Sequence, residues 1–273
     1  MKRRWVSILV AVALVGIPGA FLGDKTYKLA ARYRQFKAVA ARLPELPEIR
    51  SATRPRRSAF PVVWLHRVDS VERALLMAPV YKGLEIDVVY DASADYFDVG
   101  HDSVPSLGIS LERVLSAMPA VRAHFFWIDF KNLTDANKAA ACARLLAIGR
   151  AYGIVDNTIV ESGNPRALSC FTESGFYTSY YLFPESNLPT MTPEQVAEYY
   201  AEVKANLMAS RVNAVSSNYR SLPFIEKYIP GADVLLWYTE TGDALRYHAW
   251  VTYLRMRPGV KVILVHQPGP GYQ

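Results

Sequence analysis

Cysteine is nearly absent: Cys142 and Cys170 are the only two among 273 residues, too few for a disulfide framework or a thiolate metal site. Cys142 lies in the helical pattern ANKAAACARLLAIG, where a small buried apolar residue is the ordinary reading; a single bridge to Cys170 stays open if the domain is exported. Acidic residues are scarce at the start of the chain. Residues 1–57 carry 13 Lys and Arg against 3 Asp and Glu, which leaves residues 58–273 with 18 of the 31 basic and 22 of the 25 acidic residues. The net charge of +6 therefore sits at the N-terminus. The body is slightly acidic, and nucleic acid loses its main support as a partner. The 51% hydrophobic content suffices for a packed core and excludes a disordered or fibrous chain.

A basic start, MKRR, precedes the apolar run WVSILVAVALVGIPGAFLG, the pattern of a signal peptide or signal anchor. A convincing cleavage site is lacking, since a cut after Ala20 puts Pro18 at the minus-three position and a cut after Gly23 puts Phe21 there. The expectation is an uncleaved membrane anchor with the body exported to the periplasm or the cell exterior. In YKLAARYRQFKAVAARL, Leu29, Tyr33, Phe36, Ala40 and Leu43 recur at spacings of four and three with basic residues on the other faces. That is an amphipathic helix, placed on anionic lipid, in a short coiled coil, or as a cap on the domain. Leu43 to Phe60, with three prolines and no periodicity, reads as a linker. The expected organisation is an anchor over 1–23, a basic helix and Pro-rich linker over 24–59, and one domain over 60–273.

From Phe60 onward eight short apolar runs alternate with helical patterns: 61–66, 83–89, 124–130, 158–162, 176–182, 213–217, 233–239 and 261–266. Ser70 and Thr192 stand where helix N-caps are needed. Alternating strands and helices imply right-handed crossovers and a parallel sheet, and eight units in this length predict a closed (β/α)8 TIM barrel. An eighth helix has no room after VKVILVHQPGPGYQ, so the last unit is truncated or closed by the N-terminal helix.

The active mouth of such a barrel lies where the strands end, and polar residues gather there. Glu85 and Asp87, two apart on one strand, share a face, and Asp129 on the next strand would complete an all-oxygen site for Mg²⁺ or Ca²⁺. A salt-bridge cluster with Arg67 and Lys131 is the plain alternative. His66 ends the first strand and His101 follows the second; two histidines beside a metal-bound phosphate could act as general base and general acid. Glu161 at the end of the fourth strand would be a further ligand or would bind a substrate hydroxyl. Trp237 and the tyrosines of FYTSYYLF could line a pocket, although strand aromatics more often belong to the core. His266 reads as structural, His248 as exposed, and His124 lies at the opposite end of the barrel.

The order His66-Arg67, Glu85-x-Asp87, His101-Asp102, Asp129-x-Lys131 within residues 61–131 resembles the glycerophosphodiester phosphodiesterases and the wider phospholipase-C-like phosphodiesterase superfamily. WxHxVxS over Trp64 to Ser70 is also similar to the menorin branch. The resemblance implies hydrolysis of a small phosphodiester or phospholipid-derived substrate with a divalent cation. By position, His66 and His101 would be the acid/base pair, Glu85, Asp87 and Asp129 the metal ligands, and Arg67 and Lys131 the phosphate contacts. In the family a neighbouring substrate hydroxyl can attack first and give a cyclic phosphate. The chain departs at Val68 where glycine is usual, at VDSVERA where Pro-Glu-Asn-Thr is usual, and at Asp129 where glutamate is usual. Two other readings compete: a catalytically silent barrel binding a phosphorylated ligand or partner protein, and a glycosidase using Glu85 and Glu161, which leaves the histidines unexplained.

Overall fold

The computed structural model describes residues 21–50, 53, 59–101, 105–182, 188–238 and 244–267. Most of the expected anchor, residues 1–20, lies outside this set, as do Asp102 and Glu240. Among the described residues no helix is long and apolar enough to cross a membrane.

Eight parallel strands close into a barrel: β1 (Val63–Leu65), β2 (Gly83–Asp91), β4 (Phe125–Phe130), β5 (Thr158–Ser162), β6 (Tyr177–Tyr181), β7 (Ala214–Asn218), β8 (Asp233–Tyr238) and β9 (Val260–Val265). These are the eight runs read from the sequence. The sequence reading missed β3 (Tyr96–Val99), which folds back antiparallel on β2 and lies outside the barrel. The helices are α1 (Phe21–Arg42), α2 (Val71–Met77), α3 (Leu111–Ala117), α4 (Lys138–Tyr152), α5 (Ser169–Glu173), α6 (Pro193–Met208), α7 (Leu222–Tyr228) and α8 (Ala244–Arg255). Both expected caps form. Ser70 Oγ accepts from Arg73 N, and Thr192 and Gln195 make a reciprocal capping box.

Alternation along the strands sends Trp64, Trp127, Ile159, Tyr177, Ala214, Leu235, Val262 and Leu264 into the barrel. Trp64 fits only because β2 starts with glycine: a Cβ on Gly83 would lie 2.2 Å from the indole. Phe60 plugs the lower end, its ring edge-on to Trp64, Phe125 and Tyr177. With that end sealed by aromatics, the barrel opens only where the strands finish.

The seam between β9 and β1 is held by side chains of α2 and of the loop that follows it. Arg73, fully buried on α2, donates from Nε to Arg67 O (2.6 Å) and from Nη2 to Gln267 O (2.7 Å), tying the chain after β1 to the chain after β9. Tyr81 Oη adds a bond to Gln267 Oε1 at 2.7 Å. Helix α1 packs mainly along α7 and α8. Phe36 meets Trp250 and Tyr253 edge-on, and Val39 and Leu43 are buried beside it. Tyr33, expected on this stripe, is 43% exposed. The Pro-rich stretch that follows is docked as far as Ile49: Tyr228 and Tyr200 donate to Pro44 O and Pro47 O, and Ile49 N donates to Tyr228 O. Both cysteines are free thiols.

Two outcomes test this account by denaturant unfolding. Phe36→Ala should cost about 3 kcal/mol, as deletion of a buried aromatic does; an unchanged midpoint would mean that α1 is not part of the fold. Arg73→Met keeps the volume but strands two carbonyls, and should cost about 2–4 kcal/mol; a loss under about 0.5 kcal/mol would dismiss the clamp.

Candidate active site

The chain leaving β1 wraps around the first acid of β2. His66 N continues the ladder to Val265 O at 3.0 Å. Arg67 then takes a left-handed conformation (φ 56°), which for a non-glycine residue costs on the order of 1–3 kcal/mol and needs outside support. The support is specific. Arg67 N donates to Glu85 Oε2 at 2.5 Å, Val68 N donates to Glu85 O at 2.7 Å, and Arg73 holds Arg67 O. Two residues on, buried Asp69 accepts from Asp87 N at 2.9 Å. The family-usual glycine is replaced by Val68, which is fully buried in the layer outside the strands.

Strand register gathers the acids. Asp87 pairs with Asp129, and Asp129 with Glu161, so three neighbouring strands bring carboxyls to one level. Ligand atoms of Glu85, Asp87 and Asp129 all lie within 4.8 Å of one another. Lys131 Nζ bridges Asp87 Oδ1 (2.7 Å) and Asp129 Oδ2 (2.5 Å), Arg67 Nε stands 3.7 Å from Asp87 Oδ2, and His66 Nε2 stands 3.9 Å from Glu85 Oε2. Gly100 N donates to Asp87 O at 2.9 Å, which brings the loop after β3 over this group. His101 lies near enough to lower the Asp129 pKa. The expected salt-bridge partners are thus present, yet they do not exhaust the acids: Glu85 Oε1 and Asp87 Oδ2 are buried without a hydrogen-bond partner.

Charge is out of balance. Among the described residues, Arg67 and Lys131 are the permanent cations paired with the group Asp69, Glu85, Asp87, Asp129 and Glu161. Burial pushes the carboxyl pKa of Asp69, Glu85, Asp129 and Glu161 upward, reinforced at Asp69 and Glu85 by the Asp87 charge and at Glu161 by that of Asp129. Asp87 is held down against its own burial by Lys131, and Lys131 is pushed up by Asp129 and Asp87 despite its burial. Burial lowers His66 to about 3, leaving a neutral imidazole at neutral pH. Without a cation, protons offset the surplus negative charge. A hard divalent cation fits the two orphaned oxygens and the all-oxygen donor set.

The other half of the mouth is aromatic and hydroxylic. Tyr181 and Trp237 meet with their ring planes tilted by 52° and their centroids 5.1 Å apart. Glu161 is buried with Ser216 and Trp127 beside its carboxyl. Tyr238 turns outward instead, accepting from Arg32 Nη1 at 2.6 Å in the helical layer. His266 reaches the mouth: its charge bears on His66, and Arg73 and Arg67, together with burial, lower its own pKa. His124 is buried between Ala78 O and Ala120 O at the far end, and His248 is exposed. Sequence reasoning passed over Asp69 and Arg73, the one read as loop and the other as an ordinary residue of a capped helix.

No family model and no curated protein matches this sequence. Solved structures do. A glycerophosphodiester phosphodiesterase of Parabacteroides distasonis superposes with a TM-score of 0.51 at 15% identity, over 75% of this chain and 92% of its own. An Agrobacterium tumefaciens protein assigned as a glycerophosphoryl diester phosphodiesterase gives 0.53 at 13% identity, over 76% and 94%. An Oleispira antarctica phosphodiesterase in complex with its product sn-glycerol-3-phosphate gives 0.50 at 12% identity, over 75% and 92%. The chain therefore has the TIM-barrel fold of the glycerophosphodiester phosphodiesterases.

Proposed function

We propose that this protein hydrolyses a small phosphodiester, of the glycerophosphodiester or envelope-polymer kind, with a divalent cation, Mg²⁺ or Ca²⁺, held by Glu85, Asp87 and Asp129. One observation carries the reading: three carboxyls, those of Glu85 and Asp87 buried and that of Asp129 partly exposed, share a space within 4.8 Å, Glu85 Oε1 and Asp87 Oδ2 have no hydrogen bond, and both a neutral histidine and basic side chains border them. The bound cation would supply positive charge to the phosphoryl oxygens. Arg67 and Lys131 would offset the charge that grows on those oxygens during attack. His66, neutral at working pH, would take the proton of the attacking hydroxyl as its oxygen bonds to phosphorus. His101 would donate a proton to the leaving alcohol as the old P–O bond breaks. Trp237, packed against Tyr181, would border the alcohol arm. The Oleispira protein's bound product, a glycerol phosphate, is consistent with a substrate of this size. The apolar N-terminus would hold the barrel at a membrane, on its exported side.

Two measurements test this. In the full-length protein held in detergent, which keeps α1 in place, turnover of an aryl phosphodiester should vanish with chelator and return with Ca²⁺ or Mg²⁺. His66→Ala and His101→Ala should each lower kcat by about 10²–10⁴, and Asp87→Asn should abolish cation dependence. No turnover together with no cation binding by calorimetry would hand the site to the silent-barrel reading.

The second measurement is stability against pH. Asp69, Glu85, Asp129 and Glu161 have raised pKa values in the fold, so the folded state keeps protons that the unfolded chain releases near about pH 4. Their contribution is full below that pH and is lost as pH rises through the folded values. His66, lowered to about 3, works oppositely, but only below its unfolded value of 6.5. Above pH 6.5 the chelated protein should therefore lose Tm with rising pH, and the Tm gain on adding cation should grow. A cation-induced gain that is flat or shrinking from pH 6.5 to 9 would contradict the assignment of these acids.

A further inference from the structure

The chain has two cysteines in 273 residues, and the fold brings them side by side from different helices. Cys142 lies one turn into α4, Cys170 lies near the start of α5, and the two helices pack against each other. Each sulfur reaches the other's helix. Cys142 Sγ stands 3.6 Å from Ser174 Oγ at the C-cap of α5, and Cys170 Sγ donates to Lys138 O in the first turn of α4 at 3.6 Å. Between these contacts the two thiols hydrogen-bond each other. Cys142 is 6% exposed whereas Cys170 is half-buried, so a reagent from solvent meets Cys170 first. Both helices enter from the ends of barrel strands, α4 after β4 and α5 after β5. The thiol pair therefore lies beside the segments that leave the mouth after Asp129-x-Lys131 and after Glu161.

This arrangement suits thiol–disulfide exchange, in which a thiolate attacks a disulfide sulfur. The Cys170 S–H, helped by Ser174 and opposed by burial, brings the Cys142 thiol down to about 7, and the same hydrogen bond pushes Cys170 up. With a small-molecule disulfide as oxidant the steps balance. The Cys170 sulfur attacks one sulfur of the small disulfide, breaks its S–S bond and releases one small thiolate. The Cys142 thiolate then attacks the Cys170 sulfur, forms the protein S–S bond and releases the second small thiolate. The two cysteine protons pass to the two leaving thiolates, the protein sulfurs are oxidised, and the small disulfide is reduced.

We propose that Cys142 and Cys170 are a reversible disulfide site, closed by exchange with a small-molecule disulfide, which staples α4 to α5 beside the segments that follow Asp129-x-Lys131 and Glu161. The inference does not rest on the diesterase reading above. The bridge persists where the surroundings are oxidising and opens where thiols are kept reduced, and it stabilises the fold chiefly by restricting the unfolded chain.

The full-length protein in detergent is incubated with oxidised glutathione at about pH 8, where the thiolate is plentiful, then unfolded, alkylated with iodoacetamide and mapped by mass spectrometry. Wild type should take up no alkyl group, lose two hydrogens in mass and yield a peptide pair joining Cys142 to Cys170, and reductant should restore both thiols. Before unfolding, the oxidised protein should melt about 5–10 °C above the reduced one. In Cys142→Ala the accessible Cys170 should stop at the mixed disulfide with glutathione, and in Cys170→Ser the buried Cys142 should stay unmodified; neither variant should gain Tm. Cys170→Ser exchanges one small side chain for another at a half-buried position, so its result stands even if Cys142→Ala is unstable. Two alkylated cysteines in oxidised wild type, a halt at the mixed disulfide, or chains linked to one another would each overturn the proposal and leave the pair as small packing residues. A bridge that closes with Tm unchanged or lowered would also overturn it, because the sulfurs would then not be placed for bonding in the native fold.

Discussion

Two ionised carboxylates 4 Å apart repel by about 4 kcal/mol at the effective dielectric of a partly buried site, and this barrel brings three to within 4.8 Å. Everything around the mouth answers that repulsion. Lys131 lies between Asp87 and Asp129, backbone amides of the first loop point at Glu85, and Asp69 holds the Asp87 amide. The left-handed turn at Arg67 follows from the same need, since an extended residue there would not aim its N–H at the Glu85 carboxylate. Arg73 keeps that turn in place from below and also holds the end of β9. Closure of the barrel between β9 and β1 and support of the acidic site are thus one hydrogen-bonded arrangement.

How much of this the sequence disclosed depended on whether a residue's surroundings are set locally. A two-residue spacing puts Glu85 and Asp87 on one face whatever else the chain does, and eight apolar runs separated by helical patterns leave few sheet topologies open. Asp69 and Arg73 were illegible for the opposite reason. Charged residues are rarely fully buried, and only the meeting of α2 with the ends of β1 and β9 makes Arg73 an exception. His266 reaches the mouth because β9 places it beside β1, a neighbourhood that no local spacing reveals. On α1 the expected stripe is buried at Phe36 and Leu43 but not at Tyr33, and Val39 is covered rather than Ala40, because Trp250 and Tyr253 on α8 meet the helix at Phe36. The hairpin strand β3 escaped notice because four residues after a turn carry too little periodicity to register.

The mouth divides into two chemically distinct halves, and the division follows strand order. Strands β1, β2 and β4 contribute the histidine, the acids and the bases, whereas β5 to β8 contribute hydroxyls, one further carboxyl and a pair of packed aromatic rings. A phosphodiester has the same two-part character, a compact anion joined to alcohols of variable shape. In the first half Lys131 and Arg67 are set against particular acids, so a change there shifts a charge balance that is already in negative surplus. The second half is where the chain can vary without unbalancing that charge, and it is where fold likeness at 12–15% identity carries least information. Glu161 is the exception that links the halves. It stands in register with Asp129 yet has Trp127, Ser179 and Ser216 as its neighbours, so its carboxyl adds to the negative surplus while its free oxygen faces the hydroxylic side. Burial and the neighbouring Asp129 charge disfavour its ionised form while Ser216, Lys131 and Trp127 favour it, so this one carboxyl couples the charge balance of the first half to the hydroxyl and indole of the second.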